Sequence, residues 1–190
     1  MRITTYYRLE DLYKKYRGYI STKELLEEGF SNRQIATLTE ENYLEKVCHG
    51  YYWMLQCGYE KPYDYKCIEV CLSDPRAVIA MKSACYYQGF IKSEPDILIV
   101  ATERTDRSVI NMKFPVERHY FSGGNFQYGM KRVETEFGSY NIYNIERSFC
   151  DMVRLNDEFM IEISNQLKVG TEQYERLLGY AERLKLNKRF

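Results

Sequence analysis

The densest run of residues able to do chemistry is Asn144-Ile145-Glu146-Arg147-Ser148-Phe149-Cys150-Asp151-Met152-Val153-Arg154. If this segment is helical, Arg147, Asp151 and Arg154 share one face at i, i+4 and i+7. Two readings stay open: a ladder of ion pairs, each weak if solvated, or a docking surface for a partner built from Glu146, Arg147, Asp151 and Arg154. A second candidate cluster is Ser31-Asn32-Arg33 with Ala36 and Thr37. The guanidinium fork of Arg33 could read a guanine edge and the amide of Asn32 an adenine edge, while Ala36 keeps the face slim enough to approach a DNA groove. Thr22, Lys23 and Ser31 are candidates for phosphate contacts, and Lys46 and His49 for contacts along the DNA backbone.

Other chemistries find little support in the sequence. It has no P-loop pattern, and Gly123-Gly124 is not followed by the Gly, Lys or Ser/Thr of a phosphate-cradling loop. His49 and His119 are the two imidazoles available as bases. Gly138-Ser139 with the later Asp151 resembles a nucleotidyltransferase signature, but no second acid stands two residues beyond Asp151, so two-metal chemistry would lack a ligand. We expect no catalytic residues, no cofactor and no enzyme activity. The six cysteines, at 48, 57, 67, 71, 85 and 150, sit mostly among apolar neighbours and read as core thiols. Cys67 and Cys71 are a helical turn apart, but no second Cys or His pair accompanies them, and no metal site is expected. The 19 tyrosines are spread along the chain, which favours packing over a base-stacking surface.

Lys plus Arg equal Asp plus Glu at 27 each, so DNA contact would have to come from a local patch. A 45% hydrophobic and 28% charged composition is that of a folded protein, and 190 residues suffice for one large domain or two small ones. The N-terminus has no apolar run resembling a signal peptide, and no stretch has the apolar length of a membrane span. The expected location is cytoplasmic.

The elements that must position these residues begin with an amphipathic helix carrying Leu9, Leu12, Tyr13 and Tyr16, closed by Gly18. Ser21-Thr22-Lys23-Glu24 and Ser31-Asn32-Arg33-Gln34 are two capping boxes, which open two short helices with Leu25, Leu26, Ile35 and Leu38 turned inward. Residues 43–47 and 51–54 flank Cys48-His49-Gly50 as a hairpin. Helix, helix-turn-helix and hairpin is the order of a winged helix, whose second paired helix enters the major groove. Glu40 and Glu41 at the far end of that helix oppose phosphate, and residues 1–57 are balanced in charge as well.

Residues 58–62, with Gly58 and Pro62, read as a linker to a second domain at 63–190. There the patterning predicts helices at 63–72 and 82–88 and short strands at 77–80 and around 114–121. The run Ile97-Leu98-Ile99-Val100-Ala101 suits a strand buried on both faces. A hairpin follows over 131–143, and then helices at 146–155, 158–168 and 172–186, the last with Tyr174, Leu177, Leu178, Ala181 and Leu184 as its buried stripe. Arg183, Lys185, Lys188 and Arg189 make a basic, solvated end. The predicted fold class is therefore α+β: a winged helix-turn-helix followed by a mixed α/β domain with a small sheet and C-terminal helices.

Four features in this order carry a family resemblance: Gly18-Tyr19-Ile20-Ser21 through Leu44-Glu45-Lys46-Val47-Cys48-His49-Gly50-Tyr51-Tyr52, Ser83-Ala84 with Gly89, the 95–102 strand, and Glu146-Arg147-Ser148 with Asp151. Together they resemble AbiEi-type antitoxins of type IV toxin–antitoxin systems, which act in phage defence by abortive infection. The resemblance implies that the N-terminal winged helix represses a shared promoter through inverted repeats, with Arg33, Thr37, Lys46 and His49 on DNA. It further implies that Glu146, Arg147 and Asp151 belong to a domain that neutralises a nucleotidyltransferase-like toxin without forming a stable complex. The neutral first domain departs from the family. The alternatives are a winged-helix transcriptional regulator with no toxin partner, and a nucleotide-processing enzyme, against which the missing catalytic residues weigh.

Overall fold

The structure is a computed structural model that describes residues 3–186. Lys188 and Arg189 of the expected basic end lie outside the described residues. Helix α1 (Ile3–Tyr16) buries Leu9 and Leu12 at helical spacing. It runs into Gly18, whose φ of +106° only glycine adopts without strain and where a Cβ would sit 2.2 Å from the Trp53 ring. Strand β1 (Tyr19–Ser21) follows, then α2 (Thr22–Glu27), α3 (Asn32–Glu40), β2 (Leu44–Cys48) and β3 (Tyr51–Met54). Both capping boxes form: Ser21 Oγ accepts from Glu24 N (3.1 Å) and Ser31 Oγ from Gln34 N (3.3 Å), and each partner side chain returns to the serine's own N–H.

The three strands make an antiparallel sheet in the order β1-β3-β2. Strand β1 is not among the predicted elements, because three residues are too few for alternation to show. Leu9, Ile20, Leu25, Ile35, Leu38 and Leu44 close one core between this sheet and the three helices.

The second sheet is mixed, in the order β6-β5-β4-β8-β7. Its elements are α4 (Tyr65–Ser73), β4 (Val78–Ile79), α5 (Met81–Tyr87), β5 (Leu98–Glu103), β6 (Val116–Phe121), α6 (Gly123–Phe126), β7 (Met130–Thr135) and β8 (Gly138–Tyr143). Helices α7 (Ile145–Leu155), α8 (Met160–Ser164) and α9 (Glu172–Arg183) complete it. Strand β5 runs parallel to β6 and antiparallel to β4, and β4 is parallel to β8. The uninterrupted apolar run of β5 has its reason here: Leu98 and Val100 enter the core under α4, Ile99 and Ala101 the core under α7 and α9.

The architecture is thus α+β, with two sheets of three and five strands. Four further details differ from the sequence expectation, the first being Leu26 of α2, which is 45% exposed while Leu25 alone anchors that helix. Gly123-Gly124 opens the short α6 instead of lying in a loop, α8 covers less than 158–168, and Leu178 of the presumed α9 stripe is 37% exposed. No helix among the described residues is long and apolar enough to cross a membrane.

The first sheet does not stand apart from the second. Tyr19, Val47 and Trp53 share a core with Cys67, Ile68, Tyr140 and Ile142, and the Trp53 ring lies between Tyr19 (4.7 Å) and Phe137 (6.1 Å). Lys61, inside the 58–62 segment, spans the junction to Glu45 of β2 (2.9 Å) and the buried Glu69 of α4 (2.7 Å), which also accepts from Tyr19 Oη (3.1 Å). Burial pushes the thiol of Cys71 up to about 11 and that of Cys67 well above its ordinary range, so both stay protonated, as core hydrophobes do.

Candidate functional site

Helix α3 is oriented by two apolar anchors. With Ile35 and Leu38 buried, Asn32, Arg33 and Ala36 are exposed and Thr37 is half-buried, its hydroxyl donating to the Arg33 carbonyl (3.1 Å). Ser31, also exposed, caps the same turn. Among the described residues no carboxylate pairs with Arg33, whereas Lys23 on α2 lies 3.8 Å from Glu27. Both the N–H and the hydroxyl of Thr22 donate to the Gly50 carbonyl (2.8 and 3.3 Å), which fixes the start of α2 to the hairpin turn. Thr22 is therefore committed to the fold as much as to any ligand.

Lys46 and His49 are exposed on that hairpin. They border a groove of about 490 Å³ that also takes in Asn111 and Lys113 from the segment before β6. Lys113, which sequence spacing gave no reason to place here, is held by Glu45 (2.8 Å). At the opposite end of α3, Glu40 and Glu41 are exposed, and Glu41 accepts from Tyr6 Oη (2.6 Å). The acids therefore sit away from the Asn32-Arg33 end.

The α7 cluster is built differently from an exposed docking surface. Glu146, Arg147 and Asp151 are 4%, 0% and 1% exposed, and of the four candidates only Arg154 is partly open. The physical reason is coverage of the α7 face by α9 and by the loop around Tyr128. Arg147 Nε donates to Asp151 Oδ2 (2.7 Å), and its Nη1 donates to the carbonyls of Asn125 (2.5 Å) and Tyr128 (2.8 Å). The guanidinium lies over the rings of Tyr143 (4.5 Å) and Phe121 (5.0 Å). Gly129 makes room: at φ +84°, a Cβ there would be 2.8 Å from that of Arg147. Glu146, in the first turn of α7 where the helix dipole favours an anion, accepts from Arg176 of α9 (3.0 Å).

Asp151 is asymmetric. Its Oδ2 is taken by Arg147, while its buried Oδ1 has no hydrogen-bond donor and lies 3.7 Å from Arg154 Nη1. Burial pushes its carboxyl above the usual range, against the opposing pull of Arg147. Asp151 is among the residues lining a cavity of about 850 Å³, with Arg104, Arg107, His119, Tyr120, Ser122, Asn125 and Arg154. Met81, another wall residue, holds a left-handed backbone at φ +50°, a conformation that costs a non-glycine residue on the order of 1–3 kcal/mol.

Sequence spacing missed this cavity, because its lining comes from four separate stretches of the chain. The signal present was the pair Arg104 and Arg107 directly after a buried strand, since ligands in α/β sheets gather beyond the carboxyl ends of strands. His119 reaches the cavity and contacts Glu117 through Nε2 (2.8 Å). Ser139, in contrast, accepts from Arg132 across the β7–β8 hairpin, while Asp151 is engaged by Arg147.

No protein-family model matches the chain, and no curated protein matches it. Among solved structures it is similar to the RV2827C protein from Mycobacterium tuberculosis. The two share 12% sequence identity at a TM-score of 0.62, over 100% of this chain and 82% of that one. At such identity the likeness is one of fold.

Proposed function

We propose that the chain is an antitoxin that represses its own operon through residues 1–57, read as a winged helix, and neutralises a nucleotidyltransferase-like toxin through residues 63–190. The observation that carries the DNA-binding half is the face of α3. Ile35 and Leu38 hold the helix down while Asn32, Arg33 and Ala36 are left exposed, and the hairpin that follows carries the exposed Lys46 and His49. A helix pair followed by a hairpin, with strand order β1-β3-β2, suits a major-groove reader with a backbone-contacting wing. Inverted repeats in the operator would place two copies on DNA. The antitoxin half rests on the resemblance to AbiEi-type antitoxins, and it requires no catalytic group, no cofactor and no stable complex with the toxin in the cytoplasm.

The same α3 face also suits a regulator with no toxin partner, and one experiment separates the two. Cells express the adjacent open reading frame alone, with the full chain, or with the full chain carrying Arg33→Ala. The antitoxin reading expects growth arrest by the neighbour, relief by the chain, and relief retained in Arg33→Ala. A harmless neighbour, or arrest that the full chain leaves unchanged, leaves only the regulator.

A further inference from the structure

The cavity beside α7 shares no lining residue with the groove at Lys46 and His49, and its lining combines three kinds of group. Arg104 and Arg107 are exposed, and among the described residues neither has a carboxylate partner. Arg154, a third guanidinium, and His119 line the same cavity. Arginine forks in a concavity are the usual recognition of phosphate oxygens. The exposed Tyr120 ring, one face of which is taken by Arg118 (5.1 Å), offers its remaining area for stacking a planar base.

The third group is Asp151. A bare polyphosphate, or the backbone of a nucleic acid, would meet a carboxylate at the wall of a site otherwise made for anions. Asp151 at this wall therefore favours a ligand with N–H or O–H donors at one end and phosphate at the other over one that is anionic throughout. A volume of about 850 Å³ lies within the ordinary range for small-molecule sites. We infer that this cavity binds a nucleoside phosphate, with the phosphates on Arg104 and Arg107 and the base or ribose donors toward Asp151 and Tyr120.

The test is calorimetric titration of the full-length chain with ATP, GTP, CTP, UTP and inorganic tripolyphosphate, repeated for Arg104→Ala, Arg107→Ala and Tyr120→Ala. All three side chains are exposed, so folding, checked by circular dichroism, is expected to survive. The expected result is saturable binding of at least one nucleotide, weakened about tenfold or more by each arginine change, since each removes a charge-assisted hydrogen bond. Tyr120→Ala should weaken the nucleotide but leave tripolyphosphate, itself the poorer ligand, unaffected. The inference fails if no nucleotide binds, if tripolyphosphate binds as well as the best nucleotide, or if the arginine variants bind unchanged. It fails too if a short DNA duplex displaces the nucleotide and is itself lost in Arg107→Ala, which would make the cavity a nucleic-acid contact.

Discussion

Arg147 and Asp151 stand one turn apart on α7, joined Nε to Oδ2 at 2.7 Å, with side chains 0% and 1% exposed. Neither charge has water to fall back on. Breaking such a pair from one side leaves an uncompensated buried ion and costs about 3–5 kcal/mol, whereas replacing both partners by apolar groups of similar size is often neutral. Arg147→Met should therefore lower the urea midpoint far more than Arg147→Met combined with Asp151→Leu. A single change costing under about 1 kcal/mol would show that the pair does not hold α7 against the 125–128 loop.

Arg33 and Lys46 should separate in a different way. Arg33→Ala, at the start of α3, is expected to cost about 1–3 kcal/mol of operator affinity and to relax specificity at one base position. Lys46→Ala should weaken binding to all sequences and reduce the salt dependence by about one counterion. Fluorescence anisotropy with operator and scrambled duplexes over a salt series measures both. Equal effects of the two changes would remove the base-reading role of Arg33.

The two serine caps act locally and far enough apart to add. Ser21→Ala and Ser31→Ala should each cost about 1 kcal/mol by denaturant unfolding. Serine to glycine at the same sites should cost only a few tenths. Ser31→Ala should also loosen the Asn32-Arg33 turn, seen as faster amide exchange at Gln34, whose N–H it leaves without its partner.

Asp106 sets an acid limit. Burial pushes its carboxyl up, but the Ser108 N–H on Oδ1 (2.7 Å) and the guanidiniums of Arg76 (2.9 Å) and Arg118 (3.4 Å) outweigh burial and hold it below the usual carboxylate range. The unfolded chain then takes up this proton first as pH falls. Its contribution is fully present above about pH 4, the ordinary carboxylate value, and is lost as pH falls through the lower folded value. Asp151, whose carboxyl is raised, acts with the opposite sign, and acidification through its folded value relieves a cost. Urea midpoints measured between about pH 2 and 7 should fall less steeply on the acid side for Asp106→Asn than for the parent. Parallel acid limbs would assign the loss to other carboxylates.

What the sequence by itself determined was local. A capping box closes within four residues, so Ser21-Glu24 and Ser31-Gln34 located two helix starts. The period of Ile35 and Leu38 then settled which side of α3 faces outward, and the unbroken apolar run at 97–101 revealed a strand covered on both sides, although Ile97 itself is exposed. The same spacing put Arg147, Asp151 and Arg154 on one face of α7 without saying what covers that face. Only the tertiary structure decided that α9 and the 125–128 loop bury it, turning a possible docking surface into an internal ion pair. The Arg104, Arg107, His119 and Asp151 cavity and the Lys61 bridge from Glu45 to Glu69 belong to the same kind. Periodicity reports which neighbours along one element share a side, whereas burial, charge pairing and cavities depend on segments that meet only after the chain has folded.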